Sequence, residues 1–360
     1  MKKSLLFVSA LFMSAAAANA QITITMADVA MPTTVIKQAT DTIVAPSIIG
    51  SSGISQTWNM TALGQDQLDT LTFIGPTWTP FLSSYPGTNE GLHFGGSSSS
   101  NYGYLTINST GLSIQGNSSI QDFGGGPSTI KQHNMPPQKV MTFPSTYLSN
   151  FTNNYVTDAT FYFGADPGIG FTLDSVRQKS VISGTANCDA WGTITTPLIT
   201  TPTGCLRFYE VTMQTDSLWA YAFGTWNFVQ ETKDTMYHYS WWANGIGFPL
   251  VESDVDASDI PMNAKWLMAT PAAGINEASE NIDMKMYPNP AQNEVTFEVD
   301  AEKVASISVF DVSGRYVTSQ LVSQDKVTIN TSALANGSYT YVLISKQKSM
   351  MNRGKFTIAK

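Results

Sequence analysis

Charge is scarce in this sequence: Asp, Glu, Lys and Arg make up only 13% of its 360 residues. That is about half the share of an ordinary soluble domain, and Ser, Thr, Asn and Gly fill the gap. Imidazoles and thiols are scarcer still, with 3 histidines and 2 cysteines. No His-Glu-x-x-His, Cys-x-x-Cys or Gly-x-Ser-x-Gly occurs, so neither a dedicated zinc site nor the nucleophile elbow of an α/β-hydrolase is written in the chain. Basic residues are thinnest in the larger part: residues 21 to 280 carry 8 basic and 20 acidic side chains, against 9 and 7 in residues 281 to 360. An acidic, lysine-poor stretch argues against nucleic acid or an anionic membrane as partner.

Long hydrophobic runs are missing too. The one apolar stretch, Leu5 to Ala18, is too short to cross a bilayer comfortably. Lys2 and Lys3 precede it and Ala18-Asn19-Ala20 follows it, the pattern of a signal peptide spanning residues 1–20. Cleavage between Ala20 and Gln21 leaves a mature chain without a transmembrane segment. Export delivers Cys188 and Cys205 to an oxidising compartment, where a disulfide between them would stabilise the fold by roughly 3 kcal/mol on the loop-entropy model. Two buried free thiols are the alternative; a metal site is weak because no His or further Cys stands nearby.

Before residue 280 there is also no amphipathic helix of ordinary length. The pattern has period two instead, as in Ile22-Thr23-Ile24-Thr25-Met26 and Tyr102-Gly103-Tyr104-Leu105-Thr106-Ile107. Gly50-Ser51-Ser52-Gly53, Gly95-Gly96 and Gly124-Gly125-Gly126-Pro127 break the strands apart. These features predict an all-β chain whose residues 21–269 form a large β-sandwich or jelly-roll-like passenger domain. Ser175 to Cys188 and Cys205 to Tyr221 read as hairpin strands, and Glu231-Thr232-Lys233-Asp234 as a turn between aromatic strands. Residues 270–281 are small, polar and patternless, a linker. Beyond it, in residues 282–360, seven short strands predict a small immunoglobulin-like β-sandwich, at about 284–287, 294–299, 305–311, 315–322, 326–330, 338–345 and 353–359.

Four motifs stand in order within that last segment: Tyr287-Pro288-Asn289-Pro290-Ala291, Val309-Phe310-Asp311-Val312-Ser313-Gly314-Arg315, Leu334-Ala335-Asn336-Gly337-Ser338-Tyr339, and Lys355-Phe356 before the basic terminus at Lys360. Together they resemble the type A C-terminal sorting domain of cargo for the type IX secretion system of Bacteroidetes. The resemblance implies recognition by the secretion machinery in the periplasm and removal of the domain by a sortase-like peptidase. The passenger is then released or joined to surface lipopolysaccharide. It assigns sorting roles to Tyr287, Pro288, Asn289, Pro290, Asp311, Gly314, Arg315, Gly337, Tyr339, Lys355 and Lys360. Segments of the passenger, such as Gly53 to Met60 and Tyr239 to Leu250, resemble uncharacterised passengers of such cargo, which brings no activity with it.

The passenger itself offers little chemistry. Ser128-Thr129-Ile130-Lys131 matches Ser-x-x-Lys but lacks its companion motifs. Glu252, Asp254, Asp256 and Asp259 form an acidic cluster without the glycine and terminal Glu of an EF-hand, so it reads as a solvated loop. Asp158, Asp166, Asp174, Asp189 and Glu210 are available to a glycosidase, which needs two convergent carboxylates. Trp242 and Trp191 are the first tryptophans to examine as exposed platforms for carbohydrate. Asp-Ser/Thr-apolar triplets, as at Asp41-Thr42-Ile43 and Asp174-Ser175-Val176, resemble O-glycosylation acceptors of the same bacteria. No cofactor or metal is implied. The sequence therefore predicts a secreted or cell-surface protein with a non-enzymatic, structural or ligand-binding passenger; the alternative is a secreted hydrolase acting on glycan.

Overall fold

The computed structural model describes residues 22–29, 34–95, 99–269, 284–311, 316–346 and 350–360. The expected signal peptide with Ala20 and Gln21, the linker 270–281, and Gly314 and Arg315 lie outside the described residues.

Thirteen strands build the passenger. The first six are β1 (Val35–Asp41), β2 (Gly53–Asn59), β3 (Gln67–Ile74), β4 (Glu90–Phe94), β5 (Asn101–Asn108) and β6 (Gly111–Asp122). Five long ones follow: β7 (Pro127–Thr142), β8 (Asn150–Ala165), β9 (Leu173–Thr195), β10 (Thr203–Ala222) and β11 (Thr225–Trp242). Two short strands, β12 (Val251–Val255) and β13 (Ala264–Leu267), complete it.

These strands do not split into the two face-to-face sheets of a sandwich or jelly roll. They form one sheet in the order β10-β11-β12-β13-β1-β3-β4-β5-β6-β7-β8-β9, and β9 pairs back onto β10. Twelve strands thus close into a barrel-like ring, which removes the edges an open sheet would expose. The difference from expectation lies in strand length. β7 to β11 run 16 to 23 residues, roughly 50–75 Å at the usual rise, where the sequence pattern had suggested short strands. Along one edge β9 pairs with β8 over Leu173 to Asn187 and then, in parallel, with β2 over Ala190 to Thr195. Its other edge stays free for β10. The approach of β2 is close: a Cβ on Gly192 would lie 1.9 Å from the Gln56 carbonyl oxygen, so only glycine fits.

Residues 231–234 are not a turn. They lie in the middle of β11, paired with Gln214 to Ser217 of β10, and the chain reverses at Phe223-Gly224 instead. Glycine at a positive φ of 80° supplies the tight reversal. A polar strand on a long twisted arm and a polar turn look alike in sequence.

The passenger core gathers Ile36, Trp58, Phe73, Leu105, Cys188, Leu206, Phe208, Trp241, Trp242 and Trp266. A separate core forms in the C-terminal segment, where seven strands make two antiparallel sheets. These are β14 (Lys285–Tyr287), β15 (Glu294–Glu298), β16 (Val304–Phe310), β17 (Tyr316–Leu321), β18 (Lys326–Asn330), β19 (Gly337–Ser345) and β20 (Met350–Ile358). The sheet β14-β15-β18 faces β17-β16-β19-β20 across Val295, Phe297, Ile307, Tyr341, Leu343 and Phe356. Trp78 of the passenger packs on Phe310, Val342 and Ile344, outside this core.

Candidate functional site

Three of the four C-terminal motifs, far apart in sequence, meet along the last strand. Tyr287 ends β14 and donates its hydroxyl to Glu298 Oε1 at 2.7 Å. Lys326 Nζ reaches the same oxygen at 2.9 Å, and its hydrogen bond, with that of Tyr287, holds the Glu298 carboxyl below its ordinary range. Asn289 Oδ1 accepts the Thr357 amide at 2.9 Å, while the Ala291 amide donates to the Thr357 carbonyl at 2.7 Å. The Tyr-Pro-Asn-Pro-Ala segment is therefore stitched to β20. Gly337 opens β19 at a φ of 154°, opposite Ile358. Tyr339, buried, stacks on Phe356 with ring centroids 5.7 Å apart and donates to the Ala335 carbonyl at 2.9 Å. Lys360 closes the set: its amide donates to Asn336 Oδ1 and its Nζ to the Ser332 and Leu334 carbonyls. Asp311 follows β16, and Lys355 lies exposed on β20.

Residues 285–358, the span of these strands, match the family described as the secretion system C-terminal sorting domain. The chain carries the sorting domain of type IX secretion cargo. No curated protein matches it. Among solved structures, dimeric latent PorU from Porphyromonas gingivalis aligns with 91% of this chain and 34% of its own, at 11% identity and a TM-score of 0.18. The chain spans about a third of that protein's length, and a likeness this low carries no argument about fold.

Ahead of the sorting domain, the passenger scatters the residues that sequence had offered for chemistry. Asp158 accepts from Arg177, Asp189 from Arg207, Asp166 from the amides of residues 168 to 170, and Asp174 from Ser175. Glu210 accepts from Asn153 Nδ2 at 3.4 Å. Each of the five is bound to a different group. In the acidic cluster, Asp256 caps the amides of Ser258 and Ile260, and Asp259 accepts the Tyr239 hydroxyl. Lys131 of the Ser-x-x-Lys match lies over the Phe81 ring, 4.5 Å from its centroid, and donates to Ser84 Oγ rather than to Ser128.

One polar row does assemble. Glu210, His238 and Asp254 stand opposite one another across β10, β11 and β12. His238 Nδ1 lies 2.9 Å from Asp254 Oδ1 and Nε2 lies 3.9 Å from Glu252 Oε1. Burial works against the imidazolium, but the hydrogen bond to Asp254 and the charges of Glu252, Asp254 and Glu210 outweigh it and raise the His238 pKa. The same bond lowers that of Asp254. Among the described residues no Ser, Thr or Cys side chain hydrogen-bonds His238, whose partner is Asp254.

The predicted disulfide is absent: Cys188 and Cys205 are both free and buried. In the β9–β10 ladder Cys188 faces Phe208 and Cys205 faces Gly192. That offset separates them along the strands by about 10 Å, beyond the reach of a disulfide. Burial pushes the Cys188 thiol up to about 12 and that of Cys205 well above its usual range, which leaves both inert. Trp242 is also a correction, being 5% exposed. Trp241 and Trp242 are neighbours on opposite faces of β11, and both faces are covered at its end; alternation predicts exposure only where one face is wet. Trp191, half-buried, packs against the same core.

A cleft that the sequence did not single out lies on the passenger. It has a volume of about 420 Å³ and is lined by aromatic, amide, serine and aliphatic residues of β4 to β9 and by Phe123 of the β6–β7 turn. Phe94 lies on the face of β4 that carries Leu92 into the core, and Gln178 on the face of β9 that carries Ile182 and Cys188 inward. The cleft therefore continues the buried face of the sheet beyond the point where the core ends. Its one sequence signal was the glycine run 124–126, which read only as a strand break.

Proposed function

We propose that this protein is cargo of the type IX secretion system, with residues 282–360 as its detachable address and residues 21–269 as a non-enzymatic, ligand-binding passenger. The match of residues 285–358 to the sorting-domain family carries the reading. On this reading the signal peptide ends at Ala20, and the secretion machinery recognises the folded two-sheet domain. A sortase-like peptidase cuts between Thr270 and Ile282. The passenger is released outside the cell or joined to surface lipopolysaccharide. Asp311 and Lys355 face the machinery. Asn289, Tyr339 and Lys360 hold the domain's terminal strand in place, and Tyr287 ties the first strand to β15.

The test uses the whole chain in a host that has the machinery. Chain with and without residues 282–360 is expressed, and periplasm, outer membrane and medium are assayed. The full chain should reach the surface or medium with a mass that ends within 270–282, and the truncated chain should remain periplasmic. Export of the truncated chain would overturn the reading.

A further inference from the structure

We infer that the cleft bounded by Phe94, Phe123, Phe161 and Gln178 is a binding site for a neutral glycan. The inference rests on the passenger being a ligand-binding domain and names its ligand class.

The cleft offers the two surfaces that a sugar ring needs. Phe94, Phe123 and Phe161 supply apolar faces, on which the C–H face of a pyranose can lie. Phe94 is 38% exposed despite its size. Phe123 is held in place by backbone geometry: it stacks on Phe161 and Phe163 with centroids 5.4 and 4.9 Å apart. That stack requires the hairpin tip to lie on β8, because a Cβ on Gly125 would fall 2.4 Å from the Gly164 carbonyl oxygen. The glycine run permits the approach, and the approach sets the platform.

Around those rings stand amides that the fold does not use. The side chains of Asn117, Gln121 and Gln178 are exposed and make no hydrogen bond among the described residues. Their neighbours are committed: Gln132 Nε2 donates to Thr157 Oγ1 at 2.5 Å, and Ser118 Oγ lies 2.9 Å from the Tyr104 hydroxyl. An amide carries both donors and an acceptor, which matches hydroxyl groups that both donate and accept.

The lining also excludes other ligands. Among the described residues Tyr102 is its only titratable member, so no described side chain there neutralises a phosphate, sulfate or carboxylate. Arg177 precedes Gln178 on β9, points to the opposite face, and is bound to Asp158. The acidic passenger repels anions besides. A wholly apolar ligand suits a second cavity better, the one of about 640 Å³ walled by Phe163, Phe171, Leu218 and Phe223. At about 420 Å³ the cleft falls within the range of small-ligand sites.

The full chain is applied to an array of neutral and acidic oligosaccharides, and the strongest neutral binder is titrated calorimetrically. Neutral oligosaccharides should bind. The triple variant Asn117→Ala/Gln121→Ala/Gln178→Ala should bind roughly tenfold or more weakly at an unchanged melting temperature, since it loses three sets of hydrogen bonds from exposed positions. Phe94→Ala should weaken binding similarly, whereas Phe223→Ala, in the apolar cavity, should leave it unchanged. Binding of acidic glycans alone, or equal binding by wild type and the triple variant, would overturn the inference. The uncharged apolar dye Nile red separates the two levels. Uptake of dye without any glycan binding removes the glycan and keeps a ligand-binding passenger; binding of neither removes both.

Discussion

In the sorting domain, strands of 3 to 9 residues wrap a single core from both sides, and little of the interior is polar. In the passenger, strands of up to 23 residues close on themselves, and apolar side chains fill the enclosed face in two separate clusters rather than throughout. Further along that face stand Ser180, bonded to Asp216, and Gln132, bonded to Thr157. A two-sheet sandwich must fill its whole interior or the sheets have nothing to hold them together. A sheet that closes through the β9–β10 ladder is held by hydrogen bonds as well, so part of its inner face can stay wet and open. The difference shows how one exported chain can combine a compact address with a passenger that keeps a cleft.

The comparison breaks most visibly at Phe297. Its side chain is fully buried between the two sheets, edge-on to Tyr341 with centroids 5.1 Å apart. Phe297→Ala should cost about 3–5 kcal/mol, most of what a domain of this size has in reserve. Calorimetry should then lose the sorting-domain transition and keep the passenger's, and export should stop. If both transitions vanish together, the contact of Trp78 with Phe310 and Val342 has made the domains one cooperative unit.

The passenger's counterpart is Arg207. It is 1% exposed, donates to both oxygens of Asp189 at 2.9 and 2.6 Å, and bonds the Ile49 and Gly50 carbonyls. Its guanidinium also lies over the Tyr239 ring at 4.7 Å. Arg207→Ala should destabilise the passenger by about 3–5 kcal/mol, because Asp189 is left without its countercharge. In a larger domain that shifts the passenger transition down rather than abolishing it. Arg207→Lys should rescue little, since an ammonium cannot repeat the paired bonds. A full rescue would mean that charge alone, not geometry, holds β2 and its preceding loop to the barrel.

How much was legible follows from the same contrast. The seven strands of the sorting domain begin and end within about three residues of where alternation and turn residues put them, because each pairing there is short and joins strands bounded by turn residues. Barrel closure was not legible. It depends on 19 paired positions between β9 and β10 with β8 and β2 sharing the opposite edge, a property of pairing at a distance that no local pattern encodes. Trp242 misled for a related reason, since covering both faces of a strand defeats the alternation rule. The cleft stayed hidden because Phe94, Asn117, Phe123 and Gln178 span 85 positions and meet only after the sheet has formed. Nor could register be foreseen for the cysteines, whose offset in the ladder forbids the disulfide that compartment and count suggested.

Glu90 gives the smallest effect and the sharpest reading of how far water enters the passenger. It is 4% exposed, lies on the face of β4 that carries Leu92 and then Phe94 to the cleft, and its Oε1 has no hydrogen-bond partner among the described residues. Burial raises its carboxyl pKa well above the usual range. The folded chain therefore keeps a proton that the unfolded chain releases. The group's stability contribution is intact below the unfolded pKa, near pH 4, and falls as pH climbs from there towards the folded pKa. Asp254 and Glu298, whose pKa values are lowered, slope the opposite way, so wild type must be compared with Glu90→Gln rather than judged alone. Denaturation midpoints of the two proteins should draw apart between pH 4 and pH 7, with the glutamine variant gaining. Parallel midpoints would mean that Glu90 ionises freely in the folded chain, and that the wet part of the barrel reaches past Leu92 into what is otherwise its core.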